Sequence, residues 1–253
     1  MITEASFVAG TLVHTSEGLR PIEQITVGDA ILSRAENGTG ETAYKRVLRT
    51  FEFDDKEVWY VSWEDSSILP KLREGLTSQQ FLDAHGQSFV VTTPHQLFWV
   101  VDSDEDELQW DESSAYAQGQ APKLQWVRAD HLSAGMTLLL ADGRQVQVAA
   151  SKRIYKTDQE QHGWVDTIDD HAKGLMIVMS GAKAEPAAPV HAWRFTPDHN
   201  LYHGLVENPN SAYVNDLDSG SAPESWCLHK VYKLEIEDFQ TYFVDKMGIW
   251  VHA

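Results

Sequence analysis

The sequence of 253 residues is poor in cysteine, in positive charge and in long apolar runs. Cys227 is its one cysteine, so neither an intrachain disulfide nor a zinc site built from several cysteines can form. There are 20 Lys and Arg residues against 38 Asp and Glu, a formal net charge of -18, which argues against a protein that grips nucleic acid. The apolar runs are too short to cross a bilayer, and the first residues lack the pattern of a signal peptide.

Most of the sequence consists of short runs of strand-forming residues separated by turn residues. Runs of four to eight residues rich in β-branched and aromatic side chains are typical of strands, so the sequence predicts a mostly β fold. Helical signals are few and short, and we expect them at 78–84, 21–25 and 128–132. The predicted strands are 8–15, 30–33, 58–63, 88–93, 96–101, 137–141, 145–149, 231–236 and 241–244.

Two pairs of similar segments indicate an internal duplication. Residues 21–32 resemble residues 128–139, 107 positions later, because an acid, an aliphatic residue, a glycine and a β run recur in register. Residues 92–98 resemble residues 196–202 in the same way, 104 positions later. Two copies predict a duplicated half rather than a solenoid, which needs three or more. Chance similarity between short β motifs is the alternative.

Two further stretches are interpreted as additions. Residues 102–112 carry seven acids and no base, typical of a solvated loop, and a calcium loop is disfavoured because Glu107 replaces the required glycine. Residues 157–225 are rich in loop-forming residues and predict an insertion, with too few basic residues for a DNA-cutting domain. The pair His199 and His203 has a metal-compatible spacing but lacks a helical pattern, so no metal is predicted.

Four ordered motifs carry the strongest signal, and together they resemble the Hint (hedgehog/intein) superfamily. The closest resemblance is to the intein-like Hint domains of bacterial polymorphic toxins. The motifs are residues 5–29 at the start, Thr92-Thr93-Pro94-His95 in the centre, residues 125–146, and residues 231–253 at the end.

The resemblance implies a horseshoe-shaped, mostly β fold with a pseudo-twofold duplication, in which the two chain ends meet. It also implies self-processing, with Ser6 as the nucleophile that attacks the carbonyl of Ala5 and converts the amide into an ester. A serine hydroxyl is nearly inert at its free pKa, so it needs a proton acceptor, and the leaving amine needs a proton. In the family, a Thr-x-x-His motif serves this step, which assigns Thr92 to the scissile carbonyl and His95 to the amide nitrogen of Ser6.

The C-terminal motif departs from the family pattern. The family has His-Asn at this junction, where the asparagine cyclises onto its own carbonyl; here His252 is present, but Ala253 occupies the asparagine position. Alanine has no side-chain nitrogen, so this cyclisation cannot occur. The family's upstream histidine and acid fall at Gln240 and Lys233, which further disfavours assisted C-terminal cleavage.

Ser6 together with Ala253 indicates a chain preserved as an unprocessed precursor, with natural variation as the alternative. The predicted organisation is an upstream remnant at 1–5, a Hint domain over 6–156 and 226–253, and an insertion at 157–225. We expect no cofactor, no nucleic acid, no membrane, a monomer, and the flanking segments of the same chain as substrate. The alternative function is a non-catalytic β linker or partner-binding module of a larger bacterial toxin.

Overall fold

The computed structural model describes residues 5–65, 88–102, 126–156, 162–166, 173–179, 191–193, 206–207 and 226–253. Within these ranges the chain forms strands and two short 3-10 turns, at Ile22–Gln24 and Ala129–His131. The strands are β1 (Phe7–Val8), β2 (Leu12–Thr15), β3 (Gly18–Pro21), β4 (Ala30–Ser33), β5 (Ala43–Glu57), β6 (Trp59–Glu64), β7 (Ser88–Thr92), β8 (Leu97–Asp102), β9 (Trp126–Arg128), β10 (Thr137–Leu139), β11 (Gln145–Arg153), β12 (Tyr155–Lys156), β13 (His162–Asp166), β14 (Lys173–Val178), β15 (His191–Trp193), β16 (Val206–Glu207), β17 (Leu228–Ile236), β18 (Thr241–Val244) and β19 (Ile249–His252).

The mostly β prediction is confirmed. The helical signals at 21–25 and 128–132 correspond to the two 3-10 turns, and the one at 78–84 lies outside the described residues. The acidic stretch beyond residue 102 and the two histidines at 199 and 203 also lie outside them. No helix in the described ranges is long and apolar enough to cross a membrane.

Two antiparallel sheets are built from these strands. The larger has fourteen strands in the order β10-β11-β6-β7-β1-β17-β5-β4-β2-β18-β19-β8-β9, with β3 paired to β2 and β10 paired also to β8. The smaller has five strands, β12 to β16, and these include the described residues of 157–225 except Met179. The domain boundaries and the horseshoe outline stay predictions.

The duplication is visible in two copies of one hydrogen-bonded unit. In the first copy Gly28 donates its N–H to Val47 and in the second Gly135 donates to Val148, each at 2.9 Å. Both glycines have positive φ, 97° and 92°, which a residue with a side chain rarely adopts. The return bonds also match, from Val47 to Asp29 and from Val148 to Met136, at 2.9 and 2.8 Å.

Each copy is completed by a strand from the other part of the chain. β6 follows the first copy but pairs with β11 of the second, and β17 follows the second copy but pairs with β5 of the first. Strand β1 consequently lies between β7 and β17, where Phe7 faces Thr92 on one side and Tyr232 on the other. The exchange therefore carries the N-terminal strand into the middle of the larger sheet.

Burial follows the strand pattern at the centre of this sheet. All four residues of β18 are buried, and in β19 only His252 is partly exposed, as expected for strands covered on both faces. Phe7 is fully buried and packs edge-on against Phe98 and Tyr242, with ring centroids 6.4 and 6.2 Å apart. These contacts anchor both chain ends in one hydrophobic core.

Candidate functional site

Ser6 is buried at the entry to β1. It is 0% exposed and the preceding Ala5 is 4% exposed, so the peptide bond between them lies inside the protein. The next residue, Phe7, is fixed by its pairing with β7 and β17. The backbone at Ser6 is thus held on its C-terminal side by two strands.

The backbone of Ser6 is bound by two consecutive threonines. Its N–H donates to Thr93 Oγ1 at 3.1 Å. Its carbonyl oxygen accepts from the Thr93 N–H at 2.9 Å and from Thr92 Oγ1 at 2.6 Å. Because both threonines are buried, these bonds are shielded from competition by water.

The side-chain hydroxyl of Ser6 differs from its backbone groups, which are all hydrogen-bonded. Its Oγ is buried and has no hydrogen-bond partner among the described residues. Buried side-chain oxygens usually have at least one partner, so an unpartnered hydroxyl calls for an explanation. Within the described ranges, the lone pairs of the Ser6 Oγ are therefore not engaged by a hydrogen bond.

Thr92 forms a hydrogen bond with Ser6, whereas His95 forms none with it among the described residues. Thr92 Oγ1 contacts the carbonyl of Ser6, one peptide bond beyond the carbonyl of Ala5 to which the sequence assigned it. His95 is exposed, and no hydrogen bond joins it to Ser6 in the ranges that the structure describes. The side chain at the amide nitrogen of Ser6 is instead Thr93.

Thr93 is therefore a site residue that sequence reasoning missed. The available signal was a pair of adjacent threonines at the end of an apolar run, where alternation would expose one of them. Both are in fact buried, at 0% and 2% exposure, because the chain turns directly after β7.

The other chain end is held by two glutamines. Ala253 is buried, and its N–H donates to the carbonyl oxygen of Gln240 at 2.7 Å. The carbonyl of His252 accepts from Gln96 Nε2, also at 2.7 Å. Both polar groups of the peptide bond between His252 and Ala253 are therefore fixed.

The imidazole of His252 lies between two oxygens. Its Nδ1 is 2.9 Å from the carbonyl oxygen of Ala253, and its Nε2 is 3.2 Å from a carboxylate oxygen of Glu36. The ring of Trp126 packs edge-on against it at 5.3 Å. A ring nitrogen bonds an acceptor oxygen only through its hydrogen, so the tautomer of His252 sets which of these two contacts is a hydrogen bond.

The turn between β7 and β8 touches both chain ends. Thr92 and Thr93 bind Ser6, and Gln96 binds the carbonyl of His252. The turn is closed by a bond from the Gln96 N–H to the Thr93 carbonyl, at 3.2 Å. Ser6 and the C-terminal peptide bond are consequently hydrogen-bonded to one turn.

Lys233 and Gln240, which the sequence comparison singled out as departures from the resemblance, differ in their structural settings. Lys233 is buried in β17, and desolvation lowers the pKa of its ammonium, against a smaller raising effect of Glu235. Gln240 has a left-handed backbone with φ of 54°, and its Nε2 donates to the carbonyl of Ile236. No group of three or more His, Cys, Asp or Glu side chains that could hold a metal occurs in the described ranges.

No protein-family model and no curated protein matches this sequence. Among solved structures the chain is similar to a bacterial intein-like domain from Clostridium thermocellum, with 18% identity, a TM-score of 0.49 and coverage of 98% of both chains. It is also similar to a DnaB intein from Synechocystis sp. PCC 6803, with 10% identity, a TM-score of 0.46 and coverage of 98% of both chains. A third similar structure is the gp41-1 intein, with 10% identity, a TM-score of 0.43 and coverage of 98% of both chains.

Proposed function

We propose that this chain is an autocatalytic self-processing domain that rearranges its own peptide bond between Ala5 and Ser6. The observation that carries the proposal is the buried Ser6 Oγ, which has no partner within the described residues while the Ser6 backbone is fully bound. In this step the Oγ forms a bond to the Ala5 carbonyl carbon and the bond from that carbon to the Ser6 nitrogen breaks. The hydroxyl loses its proton and the nitrogen gains one, so the amide becomes an ester and a free amine.

The surrounding groups divide the work of this rearrangement. Thr93 Oγ1 lies at the nitrogen that leaves, where it accepts the N–H in the resting state and can donate to the lone pair that appears as the bond breaks. Thr92 fixes the Ser6 carbonyl, so the attacking residue keeps one orientation. His95 is the proposed source of the proton, since it stands on the same turn and its ring is exposed to solvent.

The proposed second junction is at residue 253, with His252 as its assisting residue. Donation from the imidazole to the carbonyl of residue 253 would polarise that carbonyl for attack by an asparagine side chain. Ala253 supplies no such nucleophile, and Ser6 reacts more slowly than a cysteine would. We therefore propose that the chain is held as an unprocessed monomeric precursor, that its own flanking segments are the substrate, and that no cofactor takes part.

The decisive experiment follows the mass of the intact chain in hydroxylamine, which cleaves an ester or thioester but leaves an amide intact. We expect slow release of residues 1–5 from the native chain and faster release from the Ser6→Cys variant, because a thiol ionises near neutral pH. Ser6→Ala is the matched control, and it should release nothing. Equal release from Ser6→Ala, or none from Ser6→Cys, would refute the acyl shift.

A non-catalytic β linker or partner-binding module of a larger bacterial toxin is the alternative. It is favoured by Ala253, and by Lys233 and Gln240, which stand where the resemblance to the Hint superfamily implies an acid and a histidine. The test is a chain with Ser6→Cys, Ala253→Asn and a downstream segment. Cleavage at either junction supports self-processing, whereas an intact chain after prolonged incubation leaves only the binding role.

A further inference from the structure

We propose that Gln96 is a positioning residue that ties the C-terminal peptide bond to the turn that holds Ser6. The inference rests on the proposed function, since it assigns Gln96 to the second junction of that reaction. The Gln96 side chain is fully buried, and its Nε2 donates to the His252 carbonyl at 2.7 Å and to the Leu97 carbonyl at 3.2 Å. The first bond crosses from the turn between β7 and β8 to β19.

Gln96 and Gln240 together clamp the peptide bond between His252 and Ala253. The carbonyl is held by the Gln96 side chain and the N–H by the backbone of Gln240. Gln240 is itself locked, because its side chain caps the carbonyl of Ile236. With both polar groups of this peptide bond fixed, residue 253 is held directly before the side chain and the carbonyl that a cyclisation would join.

The pseudo-twofold duplication gives an internal comparison. Thr11 holds the position in the first copy that Gln96 holds in the second, since each closes a turn onto the residue three positions earlier and each accepts from the first residue of a 3-10 turn. Thr11 Oγ1 turns back onto Val8 in its own turn, at 2.9 Å. Only the glutamine, among these two, reaches across to a chain end. The difference between equivalent positions indicates a specialised role rather than a need of the turn itself.

The same bond links the two junctions mechanically. The Gln96 backbone is bonded to Thr93, and Thr93 is bonded to the nitrogen that leaves in the proposed acyl shift. A second brace comes from Ala129, whose N–H donates to the Gln96 carbonyl at 2.8 Å. Positioning of the C-terminal peptide therefore depends on the same segment that positions the nucleophile.

Amide hydrogen exchange at Ala253 tests the clamp in the full chain as it stands. Replacing Gln96 by Met keeps the volume but removes the donor, so we expect the Ala253 N–H to exchange about 10-fold faster. Gln145→Met is the matched control, because Gln145 is exposed on β11 and the chemical change is the same. Unchanged exchange in Gln96→Met, with the melting temperature showing a folded protein, overturns the inference without touching the acyl shift.

C-terminal cleavage tests the functional part, in a chain with Ala253→Asn and a downstream segment. Gln96→Met should slow release of that segment about 10-fold, whereas the control Gln145→Met should leave the rate of release unchanged. Gln96→Glu adds a signature that a purely structural role lacks: a protonated carboxyl can donate to the His252 carbonyl, and an ionised one cannot. Its cleavage rate should rise relative to Gln96→Met as the pH falls.

The comparison between two variants at each pH is needed because other groups near the turn also titrate: His95, Asp130, His252 and Glu36. Their effects are common to both variants and cancel in the ratio. A flat ratio across pH overturns the donor role of Gln96. Absence of cleavage in every chain with an asparagine at 253, combined with fast Ala253 exchange in Gln96→Met, refutes the proposed C-terminal chemistry and leaves the clamp itself established.

Discussion

Replacing Thr93 by Val is the sharpest test of how Ser6 is held. Valine has nearly the shape of threonine, but it cannot accept the Ser6 N–H. That N–H is fully buried, and its bond to Thr93 Oγ1 is 3.1 Å long. Leaving a buried donor unsatisfied costs about 1–3 kcal/mol. For a chain of this length each kcal/mol lowers the melting temperature by about 2–4 °C, so we expect a fall of about 2–12 °C.

Thr92→Val is the matched comparison and should cost less. It removes a 2.6 Å bond to the Ser6 carbonyl, but that oxygen keeps the 2.9 Å bond from the Thr93 N–H. No buried group is then left without a partner, and the expected loss is about 1 kcal/mol. The stability loss is larger for the variant that leaves a buried group without a hydrogen-bond partner, and the length of the bond that is removed does not decide the order.

Urea denaturation and amide exchange at Ser6 provide the measurements. The Ser6 N–H should lose protection in Thr93→Val and keep it in Thr93→Ser, which loses a methyl group but retains the oxygen. In a Ser6→Cys background, Thr93→Val should also slow hydroxylamine release of residues 1–5, because the leaving nitrogen loses its neighbouring hydroxyl. The reasoning is refuted by a larger stability loss in Thr92→Val than in Thr93→Val, or by unchanged protection of the Ser6 N–H.

Three further predictions concern the scaffold. Gly38→Ala should destabilise the protein by about 1–3 kcal/mol more than Gly40→Ala. Both glycines have positive φ, but a Cβ at Gly38 would lie 2.6 Å from Trp99, whereas one at Gly40 would meet open space. Equal urea midpoints for the two variants would contradict this prediction. Burial raises the pKa of the Cys227 thiol to about 11. Alkylation of Cys227 at pH 8 should therefore be on the order of 100-fold slower in the folded than in the unfolded chain, because the thiolate is the reactive form. Similar rates in the two states would show that the thiol is exposed. Lys233→Met should raise the free energy of unfolding at pH 7, because burial lowers the pKa of the Lys233 ammonium and the unfolded chain therefore binds that proton more tightly. This gain in stability should shrink as the pH rises towards the ordinary pKa of lysine, and a gain that grows with pH would refute the prediction.

The sequence predicted strands best where burial leaves a pattern. The predicted runs at 30–33 and 241–244 coincide with β4 and β18, because buried strands need apolar or β-branched side chains. Strand β5 went unrecognised: it spans Ala43–Glu57 and is mostly exposed and charged. It is held in place by β17 through ladder pairing and by ion pairs such as Arg49 with Glu235. A strand stabilised by its partner carries little signal of its own.

The chemistry of the site was readable from residue types, but its contacts were not. Ser6, Thr92, His95, His252 and Ala253 were selected by motif, and whether they act as assigned stays a prediction. Which atom faces which was a separate matter, because adjacent residues such as Thr92 and Thr93 point in directions set by the turn that follows them. Gln96 gave no signal at all, since a glutamine in a turn is ordinary until a distant strand brings a carbonyl to it.

The sequence by itself determined the mostly β composition of the fold, the two copies of the glycine-bearing unit and the absence of an asparagine at 253. These follow from local patterns of burial, positive φ and side-chain chemistry. Only the tertiary structure decided which residues meet: the exchange of β6 and β17 between the copies places β1 beside β7 and brings both chain ends to one turn. The physical reason is that strand pairing between distant segments is fixed by the core they bury together, so no single segment carries the information.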